Sequence, residues 1–282
     1  MTASRTTFSE LLRSGKPLVL PGAHDALSAR LVQDAGFDAV YIGSYGTAAA
    51  AYALPDVGLL TLGELTEQAQ RVCRAVSIPV LADAEAGFYE AVNIWRTVDA
   101  FERAGVSGIH IEDHGGGKHT PLGRSLLPLD VVLARLKAAI AARTNPDFKI
   151  IARTDAVWVL GDVEEAVRRM QAFAEAGADL VFPTGIGCQD LAAIRHRIPC
   201  QVLVLGDLPP SGIEDMSVAG ADVIVFYGLT LRAAAAGIGQ ALTRFRQTGD
   251  MAGLYGLLED TQDFERRLGY DQYVLRASEY GS

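Results

Sequence analysis

The chain has 282 residues, of which 49% are hydrophobic and 21% charged. This composition is ordinary for a globular protein and excludes extensive disorder. The formal net charge is −9, and we find no basic stripe that would offset it. Such a chain is repelled by phosphate backbones and anionic lipids, so we expect neither nucleic acid nor a membrane as a partner.

The beginning of the sequence and its cysteines predict a cytoplasmic protein. MTASRTTFSELLRSGK lacks an apolar core followed by a small-residue cleavage site. No stretch reaches about 18 consecutive apolar residues, so no membrane span is expected. The cysteines are odd in number and form no close pair (Cys73, Cys188 and Cys200), which is typical of reduced, buried thiols.

Eight short apolar runs, rich in β-branched residues, follow one another along the chain. They are KPLVLPGA, DAVYIGS, PVLADAE, SGIHIED, FKIIART, DLVFP, QVLVL and DVIVFY. Most are separated by 10–20 residues with helical periodicity, such as NIWRTVDAFERAG. Near-continuous apolar strands that alternate with amphipathic helices predict a parallel sheet covered by helices.

A weak internal repeat indicates how the strands close into a barrel. DAGFDAVYI, RAGVSGIHI, EAGADLVFP and VAGADVIVF each end a helix in Ala-Gly and then enter a buried strand. Eight such units predict an α/β fold, a (β/α)8 TIM barrel over residues 1–250. Residues 251–282 are predicted to add C-terminal helices to the same domain. The rival, an open doubly wound sheet, is disfavoured because no GxGxxG follows the first strand and no Walker loop occurs.

Acidic residues follow the third and fourth predicted strands. Asp83 and Glu85 end the third strand, and Glu112 ends the fourth. Residues 83 and 85 lie two apart, so we expect both to face the same side of the strand. A cluster of like charges requires a cation, and an all-oxygen set suits Mg²⁺, with Mn²⁺ as the alternative. The other interpretation is that these acids pair with arginines or cap the following helices.

Two further strand ends carry groups that suit an anionic substrate. Arg153 follows the apolar run FKII, and a buried arginine needs an anionic partner. That partner is either a substrate carboxylate, bound bidentately, or an acid of the barrel. After the second strand, residues 43–47 offer backbone N–H groups and hydroxyls that could hold a second carboxylate.

Taken together, these stretches resemble the isocitrate lyase/phosphoenolpyruvate mutase superfamily over nearly the full chain. The matching segments are PGAHDALSARLVQDAGFDAVYIGS, LPDVGLLT, PVLADAEAGF, AGVSGIHIED, IIARTDA and EAGADLVF. The resemblance implies a (β/α)8 barrel, a dimer or tetramer that exchanges a C-terminal helix, and Mg²⁺-dependent chemistry on small 2-oxo or 2-hydroxy carboxylates. Members of this superfamily cleave or form a C–C or P–C bond next to an enolate.

The resemblance also implies roles for individual residues. Asp83 would bind the metal directly, and the metal's waters would be held by Asp56, Glu85 and Glu112. The substrate would be bound by Gly43, Ser44, Tyr45, Gly46, Arg153, Thr184 and Tyr227. Lys118 would lie in a mobile gating loop whose hinge is residues 115–117, with Asp113 and His114 turning the chain outward.

Four positions depart from the superfamily pattern. Glu85 stands where a second aspartate is usual, and Thr120 stands where C–C lyases carry a loop cysteine. Thr184 and Gly206 replace a glutamate and an asparagine. Because the thiol is the general acid in those lyases, its loss disfavours cleavage of isocitrate or methylisocitrate. The two smaller residues reduce the contacts available to a tricarboxylate.

The sequence therefore predicts a carbon–carbon lyase or decarboxylase that acts on a small dicarboxylate such as oxaloacetate or an alkylmalate. Arg153 and Lys118 are its predicted catalytic residues, and the proton donor would be His119, Tyr45 or Tyr227. One alternative is a phosphonopyruvate mutase or hydrolase, and another is a barrel that binds carboxylates without turnover. His114 is a further candidate for a direct role. A structural role is predicted for His24, His196 and His110, the last between sheet and helix.

Overall fold

The computed structural model describes residues 6–116, 118, 120 and 124–281. All eight predicted strands are present, and they follow the chain in the predicted order. The barrel strands are Leu18–Pro21, Val40–Ile42, Val80–Asp83, Gly108–Glu112, Lys149–Thr154, Leu180–Pro183, Gln201–Leu205 and Val223–Phe226.

These strands form one parallel barrel. Each pairs with its neighbour in sequence from the second to the eighth, and the eighth pairs in parallel with the first. The first and second strands meet at a bridge between Gly22 and Tyr41, where the Ala23 N–H donates to the Tyr41 carbonyl at 2.8 Å. This contact closes the ring, so the predicted (β/α)8 barrel is confirmed.

Helices alternate with the strands and continue beyond the eighth. Their capping residues explain several boundaries: Thr61 and Glu64 form a reciprocal capping box at the start of the helix Leu62–Ala75, and Gly105 ends the helix Trp95–Ala104 with φ 91°. The described helices α1 to α13 are Phe8–Arg13, Ala26–Asp34, Ser44–Tyr52, Leu62–Ala75, Trp95–Ala104, Leu129–Ala142, Ala156–Leu160, Val163–Glu175, Cys188–Ile194, Ile213–Val218, Leu229–Thr248, Thr261–Leu268 and Tyr270–Tyr280.

Buried side chains form two cores. One fills the barrel interior and includes Leu20, Leu81 and Leu203. The other lies between the strands and the surrounding helices and includes Ile109 and Phe101. Because alternate residues of each strand enter different cores, the strands are apolar on both sides and appear in the sequence as unbroken runs.

A short antiparallel hairpin follows the fourth barrel strand and was not predicted. His114–Gly116 pairs with Ser125–Leu126. Asp113 and His114 are buried, so the prediction that they turn the chain outward is wrong. Asp113 instead accepts three hydrogen bonds within the protein, described below. Gly117, the end of the predicted hinge, lies outside the described residues.

The described chain divides into two compact units, Met1–Leu231 and Arg232–Ser282. The first contains the barrel. The second contains most of α11, a 3₁₀ turn at Ala252–Leu254, and helices α12 and α13, which are the predicted C-terminal helices. Among the described residues, none of the helices is both long and apolar enough to cross a bilayer.

Candidate active site

A buried lysine lies among the carboxylates at the carboxyl ends of the barrel strands. Lys118 Nζ is 2.6 Å from Glu85 Oε2, 3.4 Å from Glu112 Oε1 and 3.7 Å from Asp56 Oδ2. The residue is only 5% exposed. We call Asp56, Asp83, Glu85 and Glu112 the carboxylate cluster. All four predicted metal-site acids therefore lie together around one positive charge.

Asp83 ends the third barrel strand and is fixed by three donors. Its Oδ2 accepts from the Ser44 hydroxyl at 2.9 Å and from the Ser44 N–H at 3.3 Å. Its Oδ1 accepts from the Glu85 N–H at 2.8 Å. These bonds hold the carboxylate in one orientation beside Lys118, whose Nζ lies 3.3 Å from the Ser44 hydroxyl.

Glu85 reaches the cluster by a different route from the one predicted. The third strand ends at Asp83, and Glu85 adopts a left-handed conformation with φ 51°. Strand alternation therefore does not place it, and that part of the prediction is wrong. A left-handed non-glycine residue is uncommon. Here its carbonyl accepts from the Glu112 N–H at 2.9 Å, which ties the turn to the fourth strand.

The buried charges shift one another's protonation. Burial raises the pKa of Glu112 to about 7, against the lowering effect of Arg153 and Lys118. Burial also disfavours the charged form of Lys118, but Glu112, Asp83 and Glu85 outweigh it and hold its pKa well above the usual value. Lys118 is therefore an ammonium, and Glu112 is the acid of the cluster that titrates near neutrality.

His110 and Tyr41 support Asp83 from inside the barrel. The Tyr41 hydroxyl lies 2.8 Å from His110 Nε2, which is 3.7 Å from Asp83 Oδ1. Burial lowers the pKa of His110 to about 4, so the imidazole is neutral at pH 7. His110 also packs edge-on against Phe182, at 5.3 Å between ring centroids. It therefore points into the barrel, and the expected position between sheet and helix is wrong.

Arg153 links the carboxylate cluster to a second buried acid. Its Nη1 lies 3.0 Å from Glu112 Oε2, and its Nε and Nη2 donate to the two oxygens of Asp155 at 2.8 and 3.2 Å. Arg153 therefore has barrel acids as partners, Asp155 and Glu112, which is the alternative to a substrate carboxylate that the sequence left open. Arg153 still lines the cavity beside the cluster, so it can also contact a bound anion.

Residues 43–46 form the start of a helix. Gly43 is the N-cap of α3, and Ser44, Tyr45 and Gly46 make its first turn. N–H groups in the first turn of a helix lack intrahelical acceptors and favour anions. All four residues line the cavity next to Asp83. The predicted anion-binding segment is therefore the N-terminus of a helix.

One cavity is lined by all seven of the predicted substrate-binding residues. It has an empty volume of about 520 Å³, including its open mouth, and Thr184, Tyr45 and Tyr227 line it with Lys118 and Arg153. The two tyrosine rings meet edge-to-face, with centroids 5.4 Å apart. Glu85 and Glu112 line an adjoining pocket that shares Lys118. His119 lies outside the described residues.

Asp155 is a functional residue to which the sequence analysis assigned no role. This carboxylate is fully buried, receives Arg153, accepts from the Thr184 hydroxyl at 2.5 Å, and lies 3.3 Å from His114 Nδ1. The signal that could have revealed it is its position directly after the fifth strand, which ends at Thr154, because catalytic groups of α/β barrels lie at the strand ends. Thr184 is thereby engaged as a donor within the protein.

A second buried network lies behind this one. Asp113 accepts from the Thr154 hydroxyl at 2.6 Å, from the Asp155 N–H at 2.9 Å and from Arg169 Nη1 at 3.1 Å. Its buried carboxylate therefore has a cationic partner on α8, and the network fixes the segment that carries Arg153 and Asp155.

The carboxylate cluster fits a divalent cation. Ligand atoms of Asp83, His110 and Glu112 lie within 4.8 Å of one another, and all three residues are buried. Oxygen ligands suit Mg²⁺ or Mn²⁺. His110 Nε2 is already engaged with Tyr41, so the acids are the better ligands. The ammonium of Lys118 demonstrates that this set of acids accommodates a positive charge.

Comparison with known proteins agrees with this geometry. A profile of the phosphoenolpyruvate phosphomutase family matches residues 8–246. The chain belongs to this family. It is 34% identical over 270 residues to the 2,3-dimethylmalate lyase of Eubacterium barkeri, an alignment that covers 93% of each chain.

Solved structures of the same superfamily superimpose closely. Oxaloacetate acetylhydrolase in complex with 3,3-difluorooxalacetate has a TM-score of 0.88 at 28% identity, covering 99% of this chain and 97% of that one. Phosphonopyruvate hydrolase in complex with oxalate and Mg²⁺ has a TM-score of 0.87 at 28% identity, covering 96% and 97%. The predicted superfamily is confirmed, and the chain is an enzyme of the carbon–carbon lyase type found there.

Proposed function

We propose that this lyase cleaves a carbon–carbon bond in a small 2-oxo or 2-hydroxy dicarboxylate with the help of Mg²⁺. The observation that carries the proposal is the carboxylate cluster around Lys118 Nζ, beside the N-terminus of α3 and Arg153. Oxaloacetate and alkylmalates are the substrates we favour. The similarity to 2,3-dimethylmalate lyase and oxaloacetate acetylhydrolase supports this class.

In this proposal the carboxylate cluster holds the ion, with Asp83 as the direct ligand and the other three acids binding its water shell. Mn²⁺ is the alternative ion for an all-oxygen set. When bound, the ion would polarise the substrate oxygen next to the scissile bond. Asp83 is suited to the direct role because three donors already orient it.

The remaining groups bind the substrate and stabilise developing charge. The first turn of α3 binds one substrate carboxylate through the N–H groups of Tyr45 and Gly46, since the Ser44 N–H donates to Asp83. Arg153 directs its guanidinium at the oxygen on which enolate charge develops. The pairing of Arg153 with Asp155 keeps this guanidinium in place before substrate arrives, and preorganised donors of this kind are the effective ones in catalysis.

The proton that the departing fragment needs comes from a tyrosine in this proposal. Tyr45 and Tyr227 both line the cavity, whereas position 120, where related C–C lyases carry a cysteine, is threonine. His119 is the third candidate donor. Lys118 contributes its ammonium to charge balance within the carboxylate cluster. Replacing each tyrosine by phenylalanine should identify the donor, because that variant alone loses turnover while still binding substrate.

A substrate panel tests the proposal. Oxaloacetate, 2-methylmalate and 2,3-dimethylmalate are each incubated with the protein and Mg²⁺, with EDTA-treated protein as the control. We expect Mg²⁺-dependent formation of pyruvate, CO₂ or oxalate from at least one of them, and the product distinguishes C–C cleavage from decarboxylation and from hydrolysis. If no member of the panel gives a Mg²⁺-dependent product, the proposal is contradicted, and phosphonate chemistry or a carboxylate-binding barrel without turnover is left.

Phosphonate chemistry is the second candidate function. It is favoured by the lack of a loop cysteine at position 120 and by the likeness to phosphonopyruvate hydrolase. Release of inorganic phosphate from phosphonopyruvate, or its conversion to phosphoenolpyruvate, would favour this candidate. We expect neither reaction to exceed the rate with the best dicarboxylate.

We further propose that the protein is a dimer or a tetramer. The second unit exposes apolar side chains such as Tyr273, Val274 and Leu275, each about two-thirds exposed. Several strongly exposed apolar side chains in one short helix suit an association surface. Light scattering coupled to gel filtration should give twice or four times the 30.0 kDa mass of one chain, and a monomer would contradict the proposal.

The cytoplasm remains our proposed location. Cys73, Cys188 and Cys200 are all free thiols, as is usual for proteins of a reducing compartment. Fractionation of the source cells, with the protein found outside the soluble cytoplasmic fraction, would contradict this.

A further inference from the structure

Part of the cavity wall is apolar. Beside the carboxylate cluster and the α3 terminus, the lining includes Trp158, Phe182, Leu205 and Leu208. The carboxylate-binding groups and the metal-binding acids account for the polar part of the lining. The apolar part is therefore where any additional group carried by the substrate would have to fit.

Trp158 is the largest side chain of this wall and contacts two polar side chains. It is the third residue of α7, the helix that begins directly after Asp155. Its ring stacks on the His114 imidazole, with centroids 5.8 Å apart and planes inclined by 27°. The Arg124 guanidinium lies 4.7 Å from the Trp158 ring centroid, within the range of a cation–π contact.

A glycine allows the chain after the sixth strand to approach Trp158 closely. Gly185 has φ 77°, a conformation that other residues rarely adopt, and a Cβ placed there would lie 3.2 Å from Trp158 Cβ. A side chain at Gly206 is excluded as well, because its Cβ would lie 2.5 Å from the Phe226 ring. At these two positions the backbone and packing prevent a polar side chain from reaching the wall.

The polar groups nearest this wall are already paired within the protein. The Thr184 hydroxyl donates to Asp155, and the Arg153 guanidinium contacts Asp155 and Glu112. Arg124 stacks on Trp158 and is not among the described residues that line the cavity. Among the described residues, the cations that line the cavity are Lys118 and Arg153, and the proposed function already assigns them to the carboxylate cluster and to the enolate oxygen. An extra carboxylate on this wall would therefore be buried without a cation of its own, which is strongly unfavourable.

We propose that Trp158 is a specificity-determining residue that restricts the substituent on the dicarboxylate to hydrogen or a short alkyl group and rejects a third carboxylate. This inference rests on the proposed function, because it describes the substrate of the same site. Trp158 acts through contact with the substituent, and His114, Arg124 and Gly185 position its ring.

Two matched ligand series test the proposal by binding alone, in Mg²⁺ and without need of turnover. In the first series, C2 of malate carries hydrogen (malate), methyl (2-methylmalate) or carboxymethyl (citrate). In the second series, C3 carries hydrogen (malate), methyl (3-methylmalate) or carboxymethyl (isocitrate). Calorimetry gives each affinity. In Trp95→Phe protein, Trp158 is the remaining tryptophan of the chain, so its fluorescence also reports occupancy of the wall.

We expect the methyl compound of at least one series to bind about tenfold more tightly than malate, since one methylene in an apolar pocket is worth at least that. The carboxymethyl compound of the same series should bind at least about a hundredfold more weakly than the methyl compound. In Trp158→Ala, the preference for methyl should fall to within about threefold. The Trp158→Phe variant should keep part of the preference for the methyl compound. It serves as a control for a folding defect in the alanine variant.

Trp95→Ala, which removes an exposed indole from α5, is the control and should keep the wild-type ranking. An unchanged ranking in both Trp158 variants, or tight binding of a tricarboxylate to the wild type, would overturn the inference. If the ranking changes as expected but no substrate is cleaved, the proposed function fails and the binding specificity stands. If substrate is cleaved but Trp158 has no effect on the ranking, only this inference fails.

Discussion

Lys118 Nζ lies 2.6 Å from Glu85 Oε2 and is enclosed by the carboxylate cluster. An ammonium therefore neutralises acids that would otherwise repel one another. A divalent cation at the cluster would be a second positive charge in the same small volume. The position of Lys118 and the binding of the metal are thus electrostatically coupled, and that coupling can be measured.

Replacing Lys118 by methionine should tighten Mg²⁺ binding at least about tenfold, because two positive charges this close repel each other strongly in a buried site. Calorimetric titration of Mg²⁺ into each protein provides the measurement. Lys137→Met, on the exposed side of α6, is the matched control and should bind like the wild type. Weaker binding by the Lys118 variant would mean that the lysine organises the acids and does not compete with the ion.

Changing Asp83 to asparagine should abolish tight Mg²⁺ binding and lower Mg²⁺-dependent turnover by about a thousandfold or more. The metal's contribution to charge stabilisation is several kcal/mol, and each 1.36 kcal/mol is a factor of ten in rate. Asparagine keeps the size and shape of the side chain and removes only its charge and one acceptor oxygen. Asp99→Asn, on the surface of α5, should be unaffected. Full activity in Asp83→Asn would remove this residue from the metal site.

Mg²⁺ affinity should depend on pH with a midpoint near 7. Burial raises the pKa of Glu112 to about 7, and the ion requires the ionised carboxylate. As the pH falls below 7, the proton competes and affinity should drop up to tenfold per pH unit; above 7 it should level off. Titrations from pH 5.5 to 8.5 test this. Affinity that is constant from pH 6 to 8 would contradict the role given to Glu112.

Arg169→Met should destabilise the protein by about 3–5 kcal/mol, because it leaves the buried Asp113 carboxylate without its cation. Arg168→Met is a close control: the neighbouring side chain pairs with the same Glu165 but is 57% exposed, so its loss should cost no more than about 0.5 kcal/mol. Urea unfolding of both variants measures the difference. Equal effects would mean that the buried network carries no special stability.

Much of the barrel could be predicted from the sequence because buried parallel strands have a strong local signature. Each strand from Leu18–Pro21 to Val223–Phe226 lies within a short, mainly apolar run. The acids at the strand ends could also be predicted, because all the strands of a parallel barrel have their carboxyl ends on one side. Asp83 and Glu112 are the last residues of the third and fourth strands and lie together on that side.

The errors arose where placement depends on contacts distant in sequence. Glu85 reaches the cluster through a left-handed turn bonded to the fourth strand, which residue spacing does not reveal. Asp113 is buried because Arg169, 56 residues later, provides its cation. Trp158 lies in a helical segment with no pattern of its own, and only the fold brings it to His114 and the cavity.

The most direct test of the metal site is a crystal structure of the protein soaked with Mg²⁺ and oxalate, which mimics a pyruvate enolate. We predict one ion within about 2.1 Å of an Asp83 oxygen, oxalate beside the first turn of α3 and Arg153, and Lys118 Nζ moved away from the centre of the carboxylate cluster. A cluster that contains Lys118 and no ion at saturating Mg²⁺ would contradict the account.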